Sequence, residues 1–164
     1  MHDGHHCCLI AQRLATIRPH RMSNQKRRHR LKPPSQQPPK GAQLRYRVCG
    51  VSELAAGESV KFLLPIDGEQ EECFLINYHG AFHAYVNRCR HVPIAMDWVD
   101  NQFFAEQGRY LMCQTHNAYY EPDTGQCIAG PSSACGKSLF RVPIEIDGEV
   151  IFAYPGRVAR DLDA

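Results

Sequence analysis

Two short stretches that each hold one cysteine and one histidine constrain this chain more than any other feature. The first box is Cys89-Arg90-His91 and the second box is Cys113-Gln114-Thr115-His116, with 21 residues between them. Each box is followed by residues suited to tight loops rather than to helices. Thiolate and imidazole groups are ligands of both iron and zinc, so the boxes predict two loops that share a metal centre.

The pairing of the donors bears on the kind of metal centre. A structural zinc site draws four donors onto one ion, and its ligands usually come as Cys–Cys and His–His pairs a few residues apart. Here each box supplies one Cys and one His. In a two-iron cluster, each loop can place its Cys on one iron and its His on the other. The pairing favours an iron–sulfur cluster, and a zinc-binding structural module is the alternative.

The region from about Leu44 to Tyr154 resembles Rieske [2Fe-2S] domains, and in particular the small bacterial Rieske ferredoxin-like proteins. The motifs that carry the resemblance are the first box with Asn87-Arg88 before it, the second box, Asp123-Thr124-Gly125, and Gly130-Pro131-Ser132, which we call the proline loop. The resemblance implies that Cys89 and Cys113 bind one iron of a [2Fe-2S] cluster. It also implies that His91 and His116 bind the other iron, and that the proline loop covers the cluster.

The chain departs from the family pattern in three ways. Asn117 stands where the family usually has Gly after the second His, and Asn is the residue next most tolerant of the left-handed conformation. The interval between the boxes is long, and its extra length is expected at the surface around Trp98 to Gly108. Ile94 and Thr115 occupy positions at which respiratory-type members carry two further cysteines. We therefore expect no disulfide between the loops, and a ferredoxin- or oxygenase-type centre in a reducing compartment.

The pattern of apolar residues predicts an all-β fold. Apolar side chains recur at every second position in several runs, as Val60, Phe62 and Leu64 do. Short runs of this kind, with turn residues between them, are typical of antiparallel sheets. We expect a Rieske-type sandwich or barrel over residues 44–156, with a cluster-binding subdomain inserted at about 87–135.

Particular strands and turns can be placed from the same pattern. Residues 73–78 should alternate between two opposite faces of a sheet. Hairpin turns are predicted at His79-Gly80 and Asp147-Gly148. A short strand at Arg109–Met112 should lead into the second box, and one continuous strand is predicted over residues 140–146.

The cysteines outside the boxes differ in their surroundings. The chain has eight cysteines, but it is long enough not to need a disulfide framework. Cys49 and Cys73 lie in strand-like runs and are expected as small buried apolar residues. Cys127 and Cys135 flank the proline loop, where they could be free thiols near the cluster or an occasional disulfide.

Residues 1–43 lack a hydrophobic period and are rich in Arg, His, Gln and Pro, which predicts a disordered basic arm. A start at Met22 would shorten this arm. It contains nine of the 19 Lys and Arg residues but one of the 17 Asp and Glu residues, a net +8, while the rest of the chain carries −6. Residues 157–164 are expected to form a C-terminal tail. Solvated tails of this kind usually bind no specific nucleic acid.

Targeting signals are weak in this sequence. Arg27-Arg28 resembles the start of a twin-arginine signal, but Pro33-Pro34 follows in place of the apolar stretch that such signals require. No run approaches the ~20 apolar residues of a membrane span. We therefore expect a soluble, cytoplasmic protein with no membrane partner.

The predicted site is suited to electron transfer. Nothing near the boxes suggests a bound substrate, so we expect no catalysis by this chain alone, and an iron–sulfur centre moves single electrons. The family resemblance implies an electron carrier between a flavin reductase and a mononuclear-iron oxygenase. His91 and His116 should turn their rings toward solvent, whereas His79 and His83 are expected as ordinary surface residues. An iron–sulfur or redox sensor that binds DNA through the basic arm is the alternative from another class.

Tyr120 is the residue expected to tune the centre. In respiratory-type Rieske proteins, a Tyr four residues after the second His and a hydroxyl two residues after it donate hydrogen bonds toward the cluster sulfurs. This chain has Tyr120 at the first place but Ala118 at the second. We therefore expect one such donor of two, with simple packing of the Tyr120 ring as the alternative.

Overall fold

The structure is a computed structural model that describes residues 44–155, all of which lie in one compact unit. The predicted basic arm and C-terminal tail lie outside the described residues. Within them, eleven strands and a 3₁₀ turn at Val51–Glu53 make up the regular structure, so the all-β prediction is confirmed. The strands are β1 (Tyr46–Gly50), β2 (Ser59–Ile66), β3 (Glu69–Tyr78), β4 (Ala81–Val86), β5 (Phe104–Ala105), β6 (Tyr110–Cys113), β7 (Ala118–Tyr120), β8 (Cys127–Ala129), β9 (Arg141–Val142), β10 (Ile144–Asp147) and β11 (Val150–Ala153).

The described strands form three antiparallel sheets. The first sheet has the order β1-β11-β10, the second β2-β3-β4-β9, and the third β5-β6-β7-β8. The third sheet lies within residues 87–135, where the insertion is predicted, and the bounds of that insertion stay a prediction. The same residues contain no helix with the length and apolar character needed to cross a membrane.

The second sheet is buried on both of its faces, because β3 is apolar on both sides. Cys73 and Leu75 belong to a core shared with the first sheet. Phe74 and Ile76 belong to a separate core shared with the third sheet. The predicted alternation of residues 73–78 is therefore confirmed, and each large side chain buried in this way contributes about 1.5–3 kcal/mol. This packing on both faces of the second sheet holds the third sheet, which carries the second box, against the rest of the fold.

The hairpin predicted at His79-Gly80 is confirmed, and the one at Asp147-Gly148 is wrong by one residue. His79 and Gly80 have φ of +52° and +87°, as both central residues of a type I′ turn must. Asp147 instead pairs with Val150, so the turn residues are Gly148 and Glu149. Gly148 has φ of +60°, which is the conformation that the first residue of a type II′ turn requires.

The single strand predicted over residues 140–146 is also wrong, because the chain changes sheets at Pro143. Proline has no N–H to donate to a strand partner. Before it, β9 pairs with β4 in the second sheet. After it, β10 pairs with β11 in the first sheet. The alternating apolar pattern continues across the break, since both sheets face the same core.

The segment between Trp98 and Gly108 is only partly at the surface. Trp98 is 79% exposed, but Phe103 is 1% exposed. The Phe103 ring stacks on that of Phe74, with centroids 3.9 Å apart and an interplanar angle of 7°. The expectation that this extra length lies at the surface holds for Trp98 and is wrong for Phe103, because the segment supplies a core aromatic residue and then strand β5.

Candidate metal centre

The second box is a tight turn between two paired strands. Cys113 ends β6 and pairs with Ala118 at the start of β7, so the residues between them form the turn. Asn117 has φ of +53°, the left-handed conformation predicted for it. Its N–H donates a hydrogen bond to the Cys113 carbonyl, with N···O of 3.0 Å. Asn117 thus adopts the left-handed conformation that glycine usually provides at this position. This conformation sets the direction of the chain after His116.

The structure brings the two sulfur donors together and the two nitrogen donors together. Cys89 and Cys113 are 4% and 0% exposed, and their thiols are hydrogen-bonded to each other. The rings of His91 and His116 are perpendicular, with centroids 4.8 Å apart. His116 is exposed and His91 is half-buried. The sulfurs therefore lie inside the fold and the imidazoles at its surface, as predicted.

The two neighbouring thiols change each other's acidity. The hydrogen bond from Cys113 lowers the pKa of Cys89 to about 5, even though burial opposes this change. The same contact raises the pKa of Cys113. One thiolate therefore forms readily, and its charge opposes ionisation of the second. Metal binding removes that conflict, because cysteines bind metals as thiolates.

The residues present fit a [2Fe-2S] cluster. The buried Nδ1 atom of His91 has no hydrogen-bond partner among the described residues, and leaving such an atom unpaired costs about 1–3 kcal/mol. An iron ligand at this nitrogen would satisfy it. Within residues 44–155, no three His, Cys, Asp or Glu side chains are arranged to hold a single ion. The donors come instead as a sulfur pair and a nitrogen pair, which is the donor set of a Rieske centre.

Tyr120 contacts the sulfur of a candidate ligand, which is consistent with the hydrogen bond predicted for it. The ring is fully buried, and its hydroxyl oxygen lies 3.3 Å from Cys89 Sγ. The hydroxyl also accepts a hydrogen bond from the Arg90 N–H, with N···O of 3.1 Å. When Cys89 is a thiolate it has no proton to give, so the Tyr120 hydroxyl is then the donor.

We expect Tyr120→Phe to lower the midpoint potential of the cluster by roughly 40 mV. The donor stabilises the more negative, reduced cluster by about 1 kcal/mol more than the oxidised one, and a one-electron couple shifts by about 59 mV for each tenfold change in equilibrium constant. Protein-film voltammetry measures the shift. Tyr119→Phe is the matched control, because Tyr119 lies half-buried on the other face of β7. Equal midpoint potentials in the wild type and Tyr120→Phe, with the cluster intact, would show that Tyr120 only packs in the core.

A polar network beneath the first box was missed by the sequence reasoning. The Asn87 amide donates to Asp97 Oδ1 and to Glu72 Oε1, both at 2.6 Å. Its Oδ1 accepts from the Met96 N–H at 2.8 Å. Asp97, whose side chain is 2% exposed, also pairs with Lys61 Nζ at 3.0 Å. Asn87 thus ties together the two ends of the loop that contains the first box. A buried Asn immediately after a strand was the available signal.

Gln114 joins the second box to the segment that follows the first. Its N–H donates to the Met96 carbonyl at 2.9 Å. Its Oε1 accepts from the backbone N–H groups of Trp98 and Val99, both at 2.8 Å. Its Nε2 donates to the Gln102 carbonyl at 3.0 Å. The two boxes are therefore held in one unit, with the exposed Trp98 side chain beside them.

The proline loop packs against the strand that follows the second box. Gly130 has φ of +128°, and a Cβ atom there would lie 2.7 Å from the Ala118 Cα. Only glycine allows such a close approach of two backbones. The loop therefore lies beside the second box, and the cover over the cluster that the resemblance implies stays a prediction.

His79 and His83 do not join the imidazole pair. His79 is exposed at the tip of the β3–β4 hairpin. His83 is half-buried on β4, and its Nδ1 lies 3.4 Å from Arg141 Nη1. Burial lowers the pKa of His83, and the nearby Arg141 adds to this effect. The expectation of an ordinary surface residue holds for His79, whereas His83 is more buried than expected.

The described fold and its paired donors define an iron–sulfur domain built on antiparallel sheets. The chain belongs to the Rieske [2Fe-2S] domain family, whose model matches residues 44–150. Its cofactor is therefore a [2Fe-2S] cluster, as the donor set indicated. Proteins with such a cluster exchange single electrons with redox partner proteins.

Known proteins place the chain more narrowly within this family. The ferredoxin component of the alkene monooxygenase system of Xanthobacter autotrophicus (strain ATCC BAA-1158 / Py2) is 31% identical over 101 residues, which cover 62% of this chain and 73% of that protein.

Solved structures share the fold at lower identity. The terminal oxygenase of carbazole 1,9a-dioxygenase from Novosphingobium sp. KA1 has a TM-score of 0.56 and 20% identity, over 72% of this chain and 31% of that chain. A chain in the complex of reduced oxygenase and oxidized ferredoxin of carbazole 1,9a-dioxygenase has a TM-score of 0.56 and 16% identity, over 73% of this chain and 100% of that chain. This chain thus spans less than a third of the terminal oxygenase but all of the second match. These two likenesses show the fold alone.

Proposed function

We propose that this chain is a Rieske-type ferredoxin, which accepts one electron from a flavin reductase and donates it to a mononuclear-iron oxygenase. The relative with 31% identity is the ferredoxin component of a monooxygenase system. A solved structure with the same fold belongs to a complex of an oxygenase and a ferredoxin. The first comparison supports a role as an electron carrier to an oxygenase, and the second supports only the shared fold.

In this proposal Cys89 and Cys113 hold one iron of the cluster, and His91 and His116 hold the other. The observation that carries it is the separation of the donors into two pairs: the thiols are in contact with each other inside the fold, and the imidazole rings are 4.8 Å apart at its edge. When bound, the cluster gains and loses a single electron. The buried cysteines keep water away from its inner side. The outward imidazoles offer the shortest path to a partner.

The surface around the boxes supports docking of a partner protein there. Val92 and Ile94, which follow the first box, are 38% and 37% exposed, and Val99 is 50% exposed. Trp98 is 79% exposed, and its backbone is fixed to the second box through Gln114. A cluster of exposed apolar side chains marks an interaction site, and Trp is enriched among the residues that contribute most to binding. We call these four residues the docking surface.

We expect Trp98→Ala to slow electron transfer to the oxygenase about tenfold at sub-saturating concentration, since an interface aromatic of this kind contributes about 1–2 kcal/mol. Anaerobic stopped-flow mixing of the reduced protein with its oxidised oxygenase measures the rate from the visible absorption of the cluster. Ile146→Ala is the control, because Ile146 is 50% exposed but lies in the first sheet, away from the boxes. Both variants should keep the wild-type midpoint potential.

This experiment also tests the function itself. If the reduced protein transfers no electron to the oxygenase, the proposed carrier role is wrong. If it transfers electrons and Trp98→Ala behaves as the wild type does, the carrier role stands and the docking surface is wrong.

We propose a reducing, cytoplasmic location for this carrier. All six cysteines in the described part of the chain are free thiols, including the exposed Cys135. Thiols are kept in this state in the cytosol, whereas oxidising compartments favour disulfides.

A further inference from the structure

Two thiols outside the boxes lie side by side. Cys127 is the first residue of β8, and Cys135 follows the proline loop. Their Sγ atoms are 4.0 Å apart. A disulfide bond is about 2.05 Å long, so a shift of about 2 Å, within the reach of side-chain rotation, would bring the sulfurs into bonding contact.

The backbone places these two thiols on neighbouring chain segments. Cys127 is fixed in the third sheet, where it pairs with Tyr120, and its N–H donates to the Lys137 carbonyl at 2.9 Å. Cys135 lies two residues before Lys137, in a segment of turns. The two cysteines are therefore on neighbouring chain segments, and a bond between them would close a short loop without breaking a strand pairing.

The two thiols differ in access to solvent. Cys127 is 5% exposed, whereas Cys135 is exposed. Cys127 Sγ donates a weak hydrogen bond to the Ala129 carbonyl at 3.5 Å, and Cys135 Sγ donates one to the Gly130 carbonyl at 3.7 Å. Burial raises the pKa of Cys127 to about 11, and the neighbouring Cys135 adds to this effect. An external reagent therefore meets Cys135 first, and Cys127 is placed to react with the product.

We propose that Cys127 and Cys135 form a second redox site, separate from the cluster, which exchanges with low-molecular-weight disulfides. The Cys135 thiolate attacks one sulfur of a disulfide such as glutathione disulfide, forming a mixed disulfide and releasing one glutathione thiolate. Cys127 then gives up its proton to solvent and attacks the Cys135 sulfur, and the second glutathione leaves. The pair loses two electrons and two protons, and the small disulfide is reduced to two thiols.

The site has a structural consequence because the proline loop lies between its two cysteines. Gly130 packs against Ala118 with no space for a side chain, and Ala118 follows the turn that carries His116. A bond between Cys127 and Cys135 would hold the loop in this packed position. We expect the protein with a Cys127–Cys135 disulfide to release its iron to a chelator several-fold more slowly than the protein in which both cysteines are thiols.

The test is incubation of the purified, cluster-loaded full chain with glutathione disulfide, followed by alkylation and peptide mass mapping. The expected product lacks two hydrogens per chain and contains a peptide that joins Cys127 to Cys135. Peptide mapping separates this product from modification at Cys7 or Cys8. The buried Cys49 and Cys73 are internal controls and should stay reduced.

Single substitutions test which of the two cysteines reacts first with glutathione disulfide. Cys127→Ser should stop at the mixed disulfide and retain one glutathione on Cys135. Cys135→Ser, a change at an exposed position, should consume glutathione disulfide at this site at least tenfold more slowly. If both thiols of the intact, cluster-loaded protein stay alkylatable at every ratio of glutathione disulfide to glutathione, the proposal is wrong. It is also wrong if Cys135→Ser reacts at Cys127 at the wild-type rate.

Discussion

Alanine in place of Cys89 or Cys113 should abolish cluster binding completely. In the proposed site, each thiolate would supply one of the two sulfur ligands to the buried iron, and no other cysteine in the described part of the chain is placed to replace it. The described cysteines outside the boxes belong to other positions in the core or beside the proline loop. Iron analysis and the visible spectrum of the purified variants measure the loss.

Cys49→Ala is the matched control for this experiment. Cys49 is also buried, at 6% exposure, but it lies in the core between the first and second sheets. Its truncation should cost some stability and leave iron and sulfide at the wild-type amounts. Full iron and sulfide in both Cys89→Ala and Cys113→Ala would rule out the proposed ligands.

Asp97→Ala should have the largest effect on stability without removing a proposed iron ligand. The carboxylate accepts hydrogen bonds from Asn87 Nδ2 at 2.6 Å and from the Asn101 N–H at 2.9 Å, and it pairs with Lys61 at 3.0 Å. Its removal leaves one N–H of the buried Asn87 amide and the part-buried Asn101 N–H without their acceptor, and it removes one partner of Lys61, which together cost roughly 2–4 kcal/mol. For a domain of this size the melting temperature should fall by about 8–16 °C. Differential scanning calorimetry of the cluster-loaded protein measures this change in melting temperature.

Asp100→Asn tests whether the burial of Asp97 is the reason for the loss of stability expected in Asp97→Ala. Asp100 also pairs with Lys61 Nζ, at 2.5 Å, but its side chain is 85% exposed. Exposed ion pairs of this kind contribute at most about 1 kcal/mol, so the melting temperature should hardly change. Equal losses in Asp97→Ala and Asp100→Asn would contradict the proposed role of the buried network.

The contribution of Asp97 should also depend on pH. Burial would raise the pKa of its carboxyl, but the hydrogen bonds from Asn87 and Asn101 and the charge of Lys61 together lower it. A lowered pKa in the folded state stabilises the protein above the ordinary value of 3.8 and loses this effect as pH falls through the folded pKa. The wild type and Asp97→Ala should therefore differ most near neutral pH and converge in acid.

Local sequence patterns were sufficient to predict the class of fold, and they identified the candidate donors that the structure brings together in two pairs. Each box holds its candidate donors within a few residues, so the spacing indicates a metal centre, and the resemblance to Rieske domains implies which iron each donor binds. The alternation of residues 73–78 gave the two faces of β3, and Asn117 was identified as the residue that replaces glycine. These features depend on neighbours in the sequence.

Features that depend on distant contacts were missed or placed wrongly. The break at Pro143 keeps the apolar alternation, so the pattern could not show that the chain changes sheets there. Phe103 appeared to belong to an external extension because its partner, Phe74, is 29 residues earlier. Asn87 and Asp97 are polar residues whose burial is visible only once the loop between them is closed. Long-range packing, rather than local preference, decided each of these cases.

The most direct test of the central claim is the metal and sulfide content of the purified full chain. A Rieske centre held by two cysteines and two histidines predicts iron and acid-labile sulfide in equal amounts, two of each per chain, in a reddish-brown protein. One zinc per chain with no sulfide would contradict the assignment of a [2Fe-2S] cluster to these residues.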